Sequence, residues 1–290
     1  MSIQHSQWRG ARAVLFLPMI LLIMMLSVGN ARLVSAQDLS EAYLLPELFE
    51  IMSDESIAAI GAEGASPLSD TELAEWRAEL ATIYDPQRMH SRFLTELDAA
   101  LASRPDVTAD ALDFAASDLG RRVLRLEVSA RTALLEPEID DAARSALMHA
   151  RHARPDARDA RMLALVRERI AANDLIELNV SLGLNTSYAY YSGMLAEGAT
   201  SGLGAQDLLA LVQAQEEDIR QDIIDWIESY FLMAYQPLSE EEMRAYIAHA
   251  ASPRGDAFNR AMFRAFDAVF VALSHQVGRA LGRRMMAEEL

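Results

Sequence analysis

From Leu44 to Val277 the apolar residues of this chain recur at spacings of three and four, the repeat of one face of an α-helix. Leu73, Trp76, Leu80 and Ile83 form one such stripe, and Met89, Phe93, Leu97 and Leu101 form another. Phe258, Met262, Phe266, Val269, Phe270, Leu273 and Val277 form a third near the C-terminal end. One stretch departs from this rule. Ile176, Leu178, Val180, Leu182 and Leu184 alternate with polar or small residues, which is strand periodicity. A strand needs a partner to be stable, and the chain offers no second alternating stretch, so this segment is assigned to helix. The expectation is an all-α protein, a multi-helix bundle.

The punctuation between stripes shows how the helices are joined. Ser239 precedes Glu242 by three residues, as Ser69 precedes Glu72, and each pair has the spacing of a capping box. Asp85-Pro86 supplies a cap followed by a proline at the first helical position. Ser252-Pro253-Arg254-Gly255 reads as a corner. Pro253 discourages a helical conformation at Ser252, Ser252 caps the next helix, and Gly255 in its first turn suggests that another backbone passes close by. Ser117-Asp118-Leu119-Gly120 is a second version of this corner, and Phe114-Ala-Ala-Ser117 aligns with His249-Ala-Ala-Ser252 at an offset of 135 residues. At the same offset Arg125 meets Arg260 and Leu73 meets Leu208. With Thr108 as the cap before the first corner, the helix there is about one turn shorter than its counterpart after Ser239. These matches predict two related helical units around residues 68–135 and 203–270. The chain then divides into a unit over 37–137, connecting helices and a Gly-rich loop over 138–202, and a second unit over 203–290. Leu208 to Phe231 reads as one long helical stripe leading to the second corner.

Glu228 to Phe266 resembles an uncharacterised bacterial family, domain of unknown function 2059. The matching features are the aromatic approach at Tyr230, Phe231 and Tyr235, the Leu-Ser-Glu-Glu-Glu start at Leu238 to Glu242, and the Ser252-Pro253-x-Gly255 corner. His249 stands where the family pattern has an aromatic residue. The resemblance implies an exported, all-helical protein and brings no functional residues with it.

The N-terminus carries a second kind of signal. Arg9 and Arg12 precede an apolar run of 16 residues from Ala13 to Val28, and Val34-Ser35-Ala36 places small residues at cleavage positions. This run is shorter than the roughly 20 residues of a spanning helix. It reads as a cleaved signal peptide over residues 1–36, with Ala31 as an alternative cleavage position, and implies a periplasmic protein. The chain has no Cys, which excludes disulfides and thiolate chemistry. Its net charge is −17, with every basic side chain an Arg, and removal of residues 1–36 takes away three Arg and no acid. So acidic a surface argues against binding nucleic acid or anionic lipid by bulk electrostatics.

No catalytic, cofactor-binding or metal-ligating residue is assigned. The chain lacks a nucleophile elbow, a phosphate-cradling glycine loop and a zinc-protease helix motif. His149 and His152 have metal-compatible spacing, but Arg151 and Arg154 flank them and no acid completes a set, so they read as surface histidines. The structural corners are Ser117, Gly120, Ser252, Pro253 and Gly255. Tyr188, Tyr190 and Tyr191, beside a glycine-rich loop, are the candidate ligand or partner surface, against the alternative that they edge the core. The functional expectation is a non-enzymatic module that binds a periplasmic protein or a small apolar ligand in a groove between its two units. The alternative is an envelope-acting hydrolase using carboxylates or histidines from different helices.

Overall fold

A computed structural model describes residues 36–63, 69–199, 202 and 204–288. The expected signal peptide therefore lies outside the described residues, apart from Ala36. The described residues form thirteen helices and no strand. The first six are α1 (Ala36–Ala42), α2 (Leu45–Glu63), α3 (Asp70–Ile83), α4 (Pro86–Leu101), α5 (Pro105–Ala116) and α6 (Asp118–Ala133). Then follow α7 (Pro137–His152), α8 (Arg158–Ala172), α9 (Leu175–Ala196), α10 (Ala205–Gln213), α11 (Glu216–Tyr235), α12 (Glu240–Ala250) and α13 (Pro253–Glu288). The bundle is all-α, as the periodicity requires.

The alternating stretch lies inside α9, which buries Leu175, Val180, Leu182, Ala189, Tyr190, Tyr191 and Met194. A helix enclosed on most of its circumference shows no clean apolar stripe, so its sequence imitates another period. It lies along α13 at very short range. A Cβ on Gly193 would stand 2.3 Å from the His275 carbonyl oxygen, and one on Gly278 would stand 1.9 Å from that of Tyr190. Only glycine permits that crossing.

Both corners form, and they form alike. The Ser117 hydroxyl accepts from the Gly120 N–H at 2.9 Å, and the Ser252 hydroxyl from the Gly255 N–H at 3.0 Å. The close backbone inferred at Gly255 is the end of the preceding helix. A Cβ there would meet the Ala250 carbonyl oxygen at 2.4 Å, and a Cβ on Gly120 would meet that of Phe114 at 2.0 Å.

Two boundaries differ from expectation. Thr108 lies within α5, and its hydroxyl donates to the Arg104 carbonyl. The helix begins at Pro105 because proline tolerates the first helical position, where its missing N–H costs nothing. The caps Arg104 and Ser239 thus each stand thirteen residues before their corner serine, and the two helices do not differ by a turn. The long stripe from Leu208 is two helices, α10 and α11. Glu216, Glu217 and Asp218 fill the first turn of α11, where the positive end of the helix dipole favours carboxylates.

The packing order of the first six helices recurs in the last six. α2 lies on α3 and α4, α1 on α5, and α5 on α6; α9 lies on α10 and α11, α8 on α12, and α12 on α13. Leu44 and Asp174 are the two described non-glycine residues with positive φ (56° and 51°), and each immediately precedes the second helix of its six, α2 and α9. α8 and α9, expected to connect the units, pack on α10, α11, α12 and α13. α7 alone has no counterpart. The halves are joined crosswise, α4 against α13 and α6 against α11, over one continuous apolar core.

Gly255→Ala and Gly120→Ala should each destabilise the protein by roughly 1–3 kcal/mol through forced backbone displacement. Ser117→Ala and Ser252→Ala should cost about 1 kcal/mol each. Urea unfolding of the four variants checks this, and a glycine variant unfolding like wild type would contradict it.

Candidate functional site

α6 carries Val123, Leu124 and Val128 inward, and the same stripe brings Glu127 in with them. Opposite it, α11 supplies Tyr230 and Tyr235, and α12 supplies Tyr246. The Tyr235 and Tyr246 hydroxyls both donate to Glu127 Oε1, at 2.7 and 3.0 Å. The Tyr230 hydroxyl donates to the Glu127 carbonyl oxygen at 3.0 Å. Glu127 is 5% exposed, and Tyr235 and Tyr246 are fully enclosed. These bonds cross between the halves, so the first buried carboxyl is held by tyrosines of the second.

Arg169 of α8 closes the cluster. It is fully buried, its guanidinium lies 4.8 Å from the Tyr246 ring centroid, and its Nη1 donates to Asn173 Oδ1 at 2.7 Å. Asn173 caps the end of α8 and passes the connection on, donating from Nδ2 to the Ala250 carbonyl oxygen just before the second corner. His249, 8% exposed, stacks on Phe114 with ring centroids 4.6 Å apart and planes 9° from parallel. Its Nε2 is buried without a hydrogen-bond partner.

Burial decides the electrostatics. It pushes the Glu127 carboxyl up to about 7, against the opposing pull of the Tyr235 hydroxyl, the Arg169 charge and the Tyr246 hydroxyl. It pushes His249 down to about 3, and the neighbouring Arg169 cation adds to that effect. Burial also raises Tyr235 and Tyr246, so both hydroxyls keep their protons and remain donors. The cluster can hold a proton on a carboxylic acid near neutrality. Its principal members are enclosed, which denies a substrate direct contact.

Around it the halves are pinned by ion pairs. Arg254 beside the second corner reaches Asp110 of α5 at 3.2 Å, and Arg122 of α6 pairs with Glu242 of α12. Arg122 also donates to the Pro237 carbonyl oxygen at 2.7 Å. The space expected to form a groove between the units is occupied here by side chains. Phe114, Tyr246 and His249 stack across it, and Tyr43 packs on Phe258 at 5.1 Å.

The corner residues Ser117, Gly120, Ser252, Pro253 and Gly255 border this seam, whereas the three tyrosines of α9 do not make one surface. Tyr190 and Tyr191 are 7% and 3% exposed and pack edge-on to one another, and only Tyr188, at 39%, faces outward. Successive helical residues point in directions about 100° apart, so a Tyr-x-Tyr-Tyr run cannot face one way. His149 and His152 are exposed, as expected. Sequence reasoning missed Glu127 and Arg169. The available signal was a charge on an apolar stripe: Glu127 follows Val123 by four residues, and Arg169 follows Val166 by three.

Among the described residues, no group of three or more His, Asp or Glu could hold a metal, and no helix is long and apolar enough to cross a membrane. Compared with protein-family models, curated proteins and solved structures, the chain matches none of them.

Tyr235→Phe removes one of the two donors that favour ionised Glu127, so the carboxyl should titrate higher and stability should fall by about 1 kcal/mol. Carboxyl-carbon NMR of Glu127 reads the first effect and urea unfolding the second. A titration unchanged or moved downward would contradict the assignment.

Proposed function

We propose that this chain is an exported, periplasmic, non-enzymatic protein that binds a partner protein through its outer helical surface. We propose further that it is built from two related copies of a six-helix unit, α1–α6 and α8–α13. The basic, apolar and small-residue pattern of residues 1–36 supports export. The matched caps, corners and packing order support the duplication, which then reaches beyond the units expected from sequence.

The observation that carries the binding reading is where the large exposed apolar side chains lie. Leu135, Ile139 and Met148 are three of the six among the described residues. All three lie on α7 or in the turn before it, and α7 has no counterpart in the first half. Arg151 fixes this helix to Asp225 and Glu228 of α11, at 2.7 and 2.8 Å. Exposed Glu136, Glu138 and Asp141 surround Leu135 and Ile139. That chemistry suits a partner presenting an apolar contact ringed by basic side chains. A small apolar ligand between the units is less well supported, because side chains fill the seam. The hydrolase alternative needs an open site with shifted titratable groups, and Glu127 is enclosed. The resemblance of residues 228–266 to the domain of unknown function 2059 family agrees with the exported, all-helical character.

Capture of a specific protein from periplasmic extract by the full chain, weakened by salt and lost in a Leu135→Glu/Ile139→Glu variant that folds normally, is the expected result. Equal capture of that protein by the variant, or the chain remaining in the cytoplasmic fraction, would overturn the reading.

A further inference from the structure

We infer that α7 is a latched arm: it opens away from α8 and α11 as one piece while the rest of the bundle stays closed, and the partner captures it in that open form. The capture rests on the binding reading proposed above; the opening stands apart from it.

The seat of α7 is small. Of its 16 residues the fold buries Ala143, Leu147 and Ala150, so a single large apolar side chain is enclosed. α8, with 15 residues, buries Met162, Leu163, Leu165, Val166, Arg169 and Ile170. α7 lies on α11 and α8, and it takes no part in the crosswise contacts of α4 with α13 and α6 with α11 or in the long pairing of α9 with α13. Local opening costs what is lost in buried apolar contact, so a helix seated by one leucine and two alanines opens more often than the bundle unfolds.

The joints at its two ends allow the movement. Turns at residues 134–136 and 153–157 flank α7, and Glu136 before it and Ala157 before α8 make no side-chain cap bond. Ala153 leaves the helix in extended backbone, and Arg154, Pro155 and Asp156 after it are exposed.

Arg151 is the latch. Its Nε and Nη2 donate to Glu228 Oε2 at 3.0 and 2.8 Å, and Nη2 also pairs with Asp225. Breaking an ion pair to a buried carboxylate is normally opposed by the charge left stranded. Glu228, with its side chain 7% exposed, escapes that penalty. Arg167 of α8 donates to its two oxygens at 2.6 and 3.0 Å and stays with the bundle when α7 leaves, while Arg151 returns to water. The latch therefore holds the arm without making release prohibitive.

The open arm offers more than the closed one. Ile139, Ala143, Leu147 and Ala150 follow one another at spacings of four, four and three, which is one helical stripe. Of these four, Ile139 alone is exposed in the closed bundle. Released, the stripe becomes a ligand for a protein with an apolar groove, and exposed Glu138 and Asp141 at its N-terminal end suit basic side chains on the groove's border.

Hydrogen exchange of the full chain, with no partner present, tests the arm. Amides of residues 141–152 should exchange at least about tenfold faster than those of α9 and α13. Arg151→Gln should quicken them about tenfold further and leave α9 and α13 at their wild-type rates. Exchange in α7 as slow as in α9, or quickening spread over every helix, would overturn the inference. The chain has no Cys, so single buried cysteines give a second readout. Ala150→Cys should react with a thiol reagent at least about tenfold faster than Ala189→Cys in α9, although both positions are buried in the closed bundle; equal rates would also overturn it. Arg151→Gln should in addition capture the periplasmic protein more tightly than wild type, because the binding-competent form is more populated. Unchanged or weaker capture would refute capture of the open form. A wild-type chain that captures no specific protein refutes the binding reading, and the capture with it, while exchange decides the opening by itself.

Discussion

α13 cannot bury its apolar stripe against its own half alone. It lies along α9 on one side and against α4 of the other half on another, and α6 lies in turn against α11. Phe266 shows the dependence, with its ring 4.3 Å from that of Phe93 and 5.6 Å from that of Phe49. Complete burial of such a side chain is worth roughly 1.5–3 kcal/mol, and separated halves would expose several at once. Cohesion of the fold thus resides in the crosswise contacts, and the corners matter because they aim α6 and α13 toward their partners in the opposite half.

The corners do this with little chemistry. A serine hydroxyl satisfies an N–H in the first turn of the new helix, and a glycine lets that turn press against the last carbonyls of the old one. Any side chain in the glycine's place would push the two helices apart. The angle between them would then change, and with it the reach of α13 toward α4. Local backbone geometry at two residues is in this way tied to packing between distant helices.

Much of this was legible in the chain. Apolar spacing identified the helices, and capping boxes at Ser69 and Ser239 marked starts that the structure reproduces with both reciprocal bonds. Periodicity shows which face of a helix is apolar and leaves open what will cover it. That is why the crosswise pairing, and the filling of the expected groove by Phe114, Tyr246 and His249, could not be read in advance. The start of α5 was missed for a related reason. Thr108 is a good cap by type, but Pro105 fixes the chain earlier, and a threonine inside a helix can bond back to a carbonyl four residues before it. The candidate site was half legible: Glu127 and Arg169 were visible as charges on apolar stripes, but only the three-dimensional pairing brings them to one place.

Burying Glu127 and Arg169 carries a cost that apolar residues at the same places would avoid, since desolvation of charge commonly exceeds what pairing returns. The chain limits that cost in three ways. Two tyrosine hydroxyls engage the carboxyl, the ring of Tyr246 faces the guanidinium, and Asn173 links that guanidinium to the carbonyl of Ala250. The last of these places the polar cluster two residues before Ser252 of the second corner, among the contacts that set the direction of α13. An apolar seam could slide, because dispersion contacts between flat faces depend weakly on register. A carboxyl that must meet two hydroxyls at once fixes the halves in one position, and that specificity is what the cluster adds to an otherwise apolar interface.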